Sequence, residues 1–87
     1  MPLFFFHIDD GGSAVDGLSL MLPNALAARN EAAKFAGEML QDRPAAFWEG
    51  KAAWTVTVAD DTGATLFILT LEGRASSAAM DRLHLPT

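Results

Sequence analysis

Hydrophobic and polar residues alternate in several short segments, which flank one longer segment with a helical period. Residues 3–9 alternate between two largely apolar faces, a pattern typical of a strand that lies centrally in its sheet or is covered on both sides. One face holds Phe4, Phe6 and Ile8, and the other holds Leu3, Phe5 and His7.

A tight turn is predicted directly after this strand. The sequence Asp9-Asp10-Gly11-Gly12 offers the Asp-Gly chemistry that suits the positive φ values of a hairpin turn. A return strand is expected within residues 13–22, with a bend at Gly17, and it leads into the helical segment.

The segment from Pro23 to Arg43 predicts an amphipathic helix. Asn24 can cap the first turn, and Pro44 disfavours helical geometry in the residue before it, so the helix should end near Asp42 or Arg43. Alanines on the apolar arc would let the helix approach a sheet closely. The predicted arc comprises Ala25, Leu26, Ala32, Ala33, Ala36, Met39 and Leu40, with Ala28 and Phe35 at its margin.

A connector and a half-buried strand are predicted after the helix. Residues 45–51 form the connector, which holds Phe47 and Trp48 and has a turn signal at Gly50. Residues 54–59 then alternate between a face of Trp and Val and a face of Thr and Ala, as expected for a strand with one buried face.

The last strand follows a second turn. Residues 60–63, Asp-Asp-Thr-Gly, predict the turn, and residues 65–71 predict a strand with two apolar faces. A short helix is expected around residues 77–83 of the tail.

These elements predict an α+β fold of ββαββ order, in which one long helix covers one face of a four-stranded antiparallel sheet. Residues 1–72 would form a single domain and residues 73–87 a tail. We expect the second sheet face to carry Leu3 and Phe5 together with Phe67, Leu69 and Leu71. The tail, a second copy or a host complex would cover that face.

Composition narrows the classes of partner. The 87 residues are 51% hydrophobic, which is high for so small a domain. This composition favours an oligomer, specifically a dimer, over a monomer with a well-filled core. The net charge of −5 disfavours binding to nucleic acid and to anionic membranes.

The absence of cysteine excludes disulfides and thiolate sites and leaves the cytoplasm as the expected location. Neither a secretory leader nor a membrane span is expected, because no apolar run is long enough.

Candidate catalytic and metal-binding groups are few. His7 and Asp9 share a strand face and could form a general-base pair, but a structural role for a lone histidine is the simpler interpretation. The spacing of Asp9, Asp10 and Asp16 does not match a calcium loop, and Gly11-Gly12 lacks the lysine of a phosphate loop. The sequence therefore predicts no enzyme, no catalytic residue, no metal site and no cofactor.

Candidate partner-binding residues are more numerous. Phe47 and Trp48 either fold over the helix end or are presented to a partner, and Arg29 covers apolar surface or pairs with a carboxylate. The residues predicted to bind a protein partner are Leu3, Phe5, His7, Phe47, Trp48, Phe67 and Leu69.

Several motifs resemble a family of small bacterial proteins of unknown function. The shared features are the opening Met1-Pro2-x-Phe4-Phe5-Phe6-His7, the Asp10-Gly11 turn, Leu22-Pro23 before an Ala-rich helix containing Ala28-Arg29-x-Glu31-Ala32, and Trp54-x-Val56-x-Val58-x-Asp60-x-x-Gly63. The family usually has Tyr where this chain has Phe4, and Glu72-Gly73-Arg74 departs from its apolar finish. The resemblance extends to about Leu71 and implies little about function, because the family is uncharacterised.

A weaker similarity is to antitoxins of the HicB type, which also place a D-x-G turn before an Ala/Glu-rich helix, although their G-x-T before the helix is missing here. The expected function is a small acidic interaction module or accessory subunit with no enzymatic activity. An antitoxin that binds a basic toxin is the alternative.

Overall fold

The computed structural model describes residues 1–10, 14–50 and 52–83. It contains four strands, one long helix and two short helices. In chain order these are β1 (Leu3–Asp9), β2 (Ala14–Met21), α1 (Ala25–Asp42), α2 (Pro44–Glu49), β3 (Trp54–Ala59), β4 (Thr65–Leu71) and α3 (Ser77–Arg82). The predicted α+β fold and four-stranded antiparallel sheet are confirmed.

The strands lie in the order β2-β1-β3-β4, so the two hairpins meet where β1 pairs with β3. Pairing of β1 with β2 shifts between Phe6 and Ile8, whose partners are Leu18 and Val15. The extra residue on β2 falls beside Gly17, where the sequence predicted a bend, as expected for a bulge. Gly11 and Gly12, predicted to form the first turn, lie outside the described residues.

Helix α1 begins and ends at the residues that its capping signals predict. Asn24 has an extended backbone, and its Oδ1 accepts a hydrogen bond from the Ala27 N–H at 2.9 Å. At the other end Arg43 leaves the helical region, and its N–H donates to the Met39 carbonyl. Because Pro44 restricts Arg43, the helix stops at Asp42.

The buried arc of α1 differs from the predicted one. Its centre is formed by Ala28, Ala32 and Ala36, spaced four residues apart, whereas Leu26 is 54% exposed. The predicted arc is thus confirmed at Ala32 and Ala36 but wrong at Leu26, because alanine at many positions makes several arcs equally apolar. Phe35 and Met39 pack at the side of the arc.

The core lies between α1 and one face of the sheet. The alternation of β1 and β3 is confirmed, since Phe4 and Phe6 of β1 and Val56 and Val58 of β3 are buried. Phe35 meets the ring of Phe6 edge-on, with ring centroids 5.1 Å apart. Large side chains on the sheet thus pack against small ones on the helix, which brings the helix close to the sheet.

The predicted connector contains a helix. Pro44 occupies the first turn of α2, a position that its fixed φ favours. The prediction treated Pro44 only as the residue that ends α1, and it missed that the same residue begins α2. Helix α2 holds Phe47 half-buried and Trp48 exposed.

The predicted tail helix is present as α3. Ser76 caps it through a hydrogen bond from the Ala79 N–H to the Ser76 hydroxyl oxygen at 3.2 Å.

The radius of gyration is 15.9 Å, against about 12 Å for a compact chain of this length. No described helix is both long enough and apolar enough to cross a membrane.

Candidate protein-interaction surface

The sheet face opposite α1, called the open face below, gathers side chains from all four strands. On β1 it carries Leu3, Phe5 and His7, so three of the predicted partner-binding residues lie together. Strand pairing adds neighbours to each of them, because directly opposite residues share a face. These pairs are Leu3 with Met21, Phe5 with Ser19 and Ala59, and His7 with Thr57.

Large apolar side chains on the open face remain in contact with solvent. Phe5 is 40% exposed, Met21 60% and Ile68 66%. The described part of the tail does not cover them, so the expectation that the tail covers this face is not met by residues 73–83. An uncovered apolar surface of this kind is typical of a site that contacts another molecule.

The open face carries few ionisable groups. Among its described strand residues they are His7 and Asp9, both half-buried, and both take part in interactions within the protein. The acidic residues lie instead mainly on α1, on α2 and in the turns. The exposed apolar side chains of this face therefore lie in a region with few charged groups.

Phe67 and Leu69 lie on the opposite face from the one predicted. Both are half-buried against the core beside α1, and so is Leu71. Their cross-strand partners explain the placement, because Val58 and Val56 point into the core and directly opposite residues share a face. The prediction that Phe67, Leu69 and Leu71 belong to the open face was wrong.

Leu66, Ile68 and Met21 take part in the open face but were not predicted to do so. The sequence could have placed Leu66 and Ile68 on this face, because the short β3–β4 turn sets which residues of the two strands pair. An irregularity in the β3–β4 pairing at Val58 and Ala59 obscured it. Because both faces of β4 are apolar, alternation alone could not identify the inner one.

An aromatic cluster lies at the end of the sheet where β3 begins. Buried Trp54 meets Phe47 of α2 edge-on at 5.2 Å, and Phe47 in turn meets Trp48 at 5.5 Å. Phe47 thus folds over the end of the core, whereas Trp48 is 62% exposed. Phe47 therefore takes the first of the two predicted positions, whereas binding of a partner by the exposed Trp48 stays a prediction.

Arg43 connects this cluster to the end of β1. Its guanidinium lies 5.2 Å from the Trp54 ring centroid, and its Nη1 donates to the Asp10 carboxylate at 3.1 Å. The ion pair joins residues 33 positions apart in the sequence. Sequence reasoning assigned Arg43 only to the helix end, because nothing local indicates a partner so distant.

Gly73 allows Trp48 to lie against the chain after β4. A Cβ atom at Gly73 would come within 2.6 Å of Trp48 Cζ3 and 2.9 Å of Phe47 Cε2, which is closer than atoms pack. Beyond this contact, Trp48 and Arg74 line a groove with Ala79, Met80 and Leu83 of the tail. Trp48 is therefore placed between the sheet end and the tail.

Arg29, which was predicted to cover apolar surface or to pair with a carboxylate, is exposed on α1. It lines a groove of about 420 Å³ between α1 and β4 together with Ala33, Phe67 and Leu69. This position fits the predicted covering of apolar surface by its side chain.

The β3–β4 turn is held by Asp60. Its Oδ1 accepts hydrogen bonds from the Thr62 hydroxyl at 2.6 Å, the Thr62 N–H at 2.9 Å and the Ala64 N–H at 3.0 Å. These hydrogen bonds lower the pKa of Asp60 below its ordinary value, and the one from the Thr62 hydroxyl has the largest effect. Gly63 completes the turn with a φ of +87°. The turn is structural, and it sets which side chains of β4 reach the open face.

Side chains that could bind a metal ion do not cluster in the described parts of the chain. Residues 1–10, 14–50 and 52–83 contain no cluster of three His, Asp or Glu side chains that could hold a metal ion. The distribution of apolar side chains is thus the main guide to function.

Comparison with known proteins gives a family and no activity. Neither a curated protein nor a solved structure matches the chain. A family model described as a domain of unknown function, DUF6894, matches residues 3–72, which run from the start of β1 to the residue after β4. The sheet with α1 and α2 is therefore the unit shared with this family, and the chain belongs to the DUF6894 family of domains of unknown function.

Proposed function

We propose that this protein is a non-enzymatic interaction module, an accessory subunit that binds a protein partner through its open face. The observation that carries the proposal is the exposure of Phe5, Met21 and Ile68 on a sheet face that no described element covers. Burying such side chains is worth about 25 cal/mol for each Å² removed from water.

The charge distribution supports a protein partner. The chain has a net charge of −5, yet the described residues of the open face include only one acidic side chain, Asp9. An apolar protein surface can approach this face without meeting the acidic groups of α1 and the turns. The cytoplasm is the proposed compartment, because a chain without cysteine fits a reducing environment.

Replacement of Phe5 by glutamate tests this role. We expect Phe5→Glu to abolish association through the open face, measured as a lower mass by light scattering after size exclusion, because it places a charge at the centre of that face. Leu26→Glu is the matched control, since Leu26 is exposed on α1 and away from that face. Circular dichroism shows whether each variant is folded. A folded Phe5→Glu variant that associates as the wild type does would overturn the proposal.

The antitoxin-like role remains a second candidate because the net charge of −5 suits a basic partner. Glu38 and Asp42 are both exposed on α1 and lie four residues apart, so they offer one acidic stripe. In that role the double change Glu38→Lys with Asp42→Lys would prevent copurification of a basic toxin, whereas Phe5→Glu would not. Copurification of no basic toxin with the wild type would argue against it.

A further inference from the structure

The edge of β4 is a second uncovered feature of the sheet. Within the part of the chain that the structure describes, no strand lies beyond β4, so one row of its backbone N–H and C=O groups faces outward. The seven residues of β4 include neither a charge nor a proline, two features by which proteins prevent pairing at an edge. The opposite edge strand, β2, includes Asp16 and has a bulge facing β1.

We propose that two copies of this chain pair along their β4 strands, antiparallel about a two-fold axis at Ile68, and so join two four-stranded sheets into one. This inference rests on the proposed function, because it names a second copy as one partner of the interaction module. It adds a second surface, the edge of β4, and the register through which that copy binds.

The register follows from the length of the strand and from its two faces. Ile68 is the central residue of β4, so an axis there pairs every residue from Thr65 to Leu71. Ile68 then lies opposite Ile68 of the second copy, and Leu66 lies opposite Thr70. A shift by one residue would place α1 of the second copy on the other side of the sheet, since successive side chains point to opposite faces.

Charge favours this edge over other surfaces. Each copy carries a net charge of −5, so two copies repel one another wherever acidic groups meet, whereas β4 is uncharged. Antiparallel pairing also brings the end of one strand to the start of the other. Arg74, three residues after β4, forms an ion pair with Glu72 at 3.0 Å, so this end of the strand brings no net charge to the turn that contains Asp61 in the second copy.

Pairing also completes the groove between α1 and β4. That groove ends at the free edge of β4, where Phe67 and Leu69 are only half-buried. In the proposed register Phe67 lies opposite Leu69 of the second copy on the helix side of the joined sheet. Association would therefore bury apolar surface on both faces of β4 and satisfy its outward backbone groups.

Single cysteines test the register, because the natural chain has none. Directly opposite residues of antiparallel strands have Cα atoms about 4.5–5.5 Å apart, which lies within the range that a disulfide spans. We expect Ile68→Cys to form a covalent dimer almost completely under mild oxidation. Leu66→Cys alone and Thr70→Cys alone should stay monomeric on denaturing gels, because like positions are offset by four residues, or about 14 Å at about 3.4 Å per residue. A mixture of the last two should cross-link.

The outcomes separate this inference from the proposed function. Failure of Ile68→Cys to cross-link, or equal cross-linking of all three single variants, would overturn pairing at β4 and leave the Phe5→Glu test unaffected. Cross-linking in the expected pattern, combined with unchanged association of Phe5→Glu, would support β4 pairing and overturn binding through the open face. Slowed amide hydrogen exchange of β4 at high concentration is expected in the natural chain, and its absence would count against pairing.

Discussion

Both faces of the sheet carry large apolar side chains, but only one face is covered by a helix. The helix face places Phe4, Phe6, Val56 and Val58 beneath a stripe of alanines and excludes water from them. The open face presents Phe5, Met21 and Ile68 to solvent with no described element above them. Apolar character alone therefore does not determine which residues form the core; the position of the single long helix does.

This difference assigns separate roles to neighbouring residues. Along β1, Phe4 and Phe6 contribute to stability, whereas Phe5 between them contributes to the surface available to a partner. Substitutions at adjacent positions should thus have separable effects on folding and on association.

The largest expected effect comes from truncating a phenylalanine on the helix face. Phe6→Ala should lower the free energy of unfolding by about 3–5 kcal/mol, because it leaves a cavity beside Phe35 and the alanine stripe. Phe5→Ala, the matched change on the open face, should cost about 1 kcal/mol or less. Urea denaturation at low protein concentration measures both without a contribution from association. Equal losses would show that the two faces do not differ as described.

The alanine stripe should be sensitive to added volume. Ala32→Leu inserts a larger side chain where the helix meets the sheet and should cost about 1–3 kcal/mol. Ala33→Leu is the neighbouring control, and it should be nearly neutral because Ala33 is exposed. Thermal unfolding followed by circular dichroism would compare them. A stable Ala32→Leu variant would contradict close packing of the helix.

Two glycines, Gly73 after β4 and Gly37 in α1, differ in the space that surrounds them. Gly73→Ala should displace Trp48 and Phe47, because the new Cβ would overlap both rings, and should speed tryptic cleavage at Arg74. Gly37→Ala should instead raise stability by about 0.5–1 kcal/mol, since Gly37 is helical and a Cβ there meets no atom within 4 Å. Unchanged cleavage of Gly73→Ala would mean that Trp48 does not depend on this contact.

The smallest expected effect concerns pH and the turn that sets the register of β4. The pKa of Asp60 is lower in the folded state than in the unfolded state, so its contribution to stability is present above its ordinary pKa of about 3.9. That contribution is lost as the pH falls from the ordinary pKa through the lower pKa of the folded state. Asp60→Ala should therefore reduce stability at pH 7 slightly and flatten the acid side of the stability profile. A parallel profile for the variant would exclude this role.

Local signals predicted the boundaries of the elements well. Asn24 and Pro44 marked the ends of α1, Gly63 marked the β3–β4 turn, and alternation identified the buried face of β3. Each of these signals acts within a few residues, so it is readable without knowledge of the tertiary structure.

Features that depend on register or on distant contacts were not predictable in the same way. The inner face of β4 depends on pairing with Val56 and Val58 across an irregular step, and both of its faces are apolar. The arc of α1 that is buried depends on which alanines meet the sheet. The ion pair of Arg43 with Asp10 joins elements far apart in the sequence. Of the predicted partner-binding residues, Leu3, Phe5 and His7 lie together on the open face, whereas Phe67 and Leu69 do not.

The positions of the two tryptophans give the protein a built-in pair of optical reporters. Trp54 is buried beneath Phe47 and beside Arg43, so its fluorescence should be blue-shifted and should change only when the core opens. Trp48 is exposed at the junction with the tail, and its emission should respond to quenchers such as iodide while the protein is folded. Unfolding and events near the tail can consequently be followed separately in one unlabelled sample, by the wavelength at which each tryptophan emits.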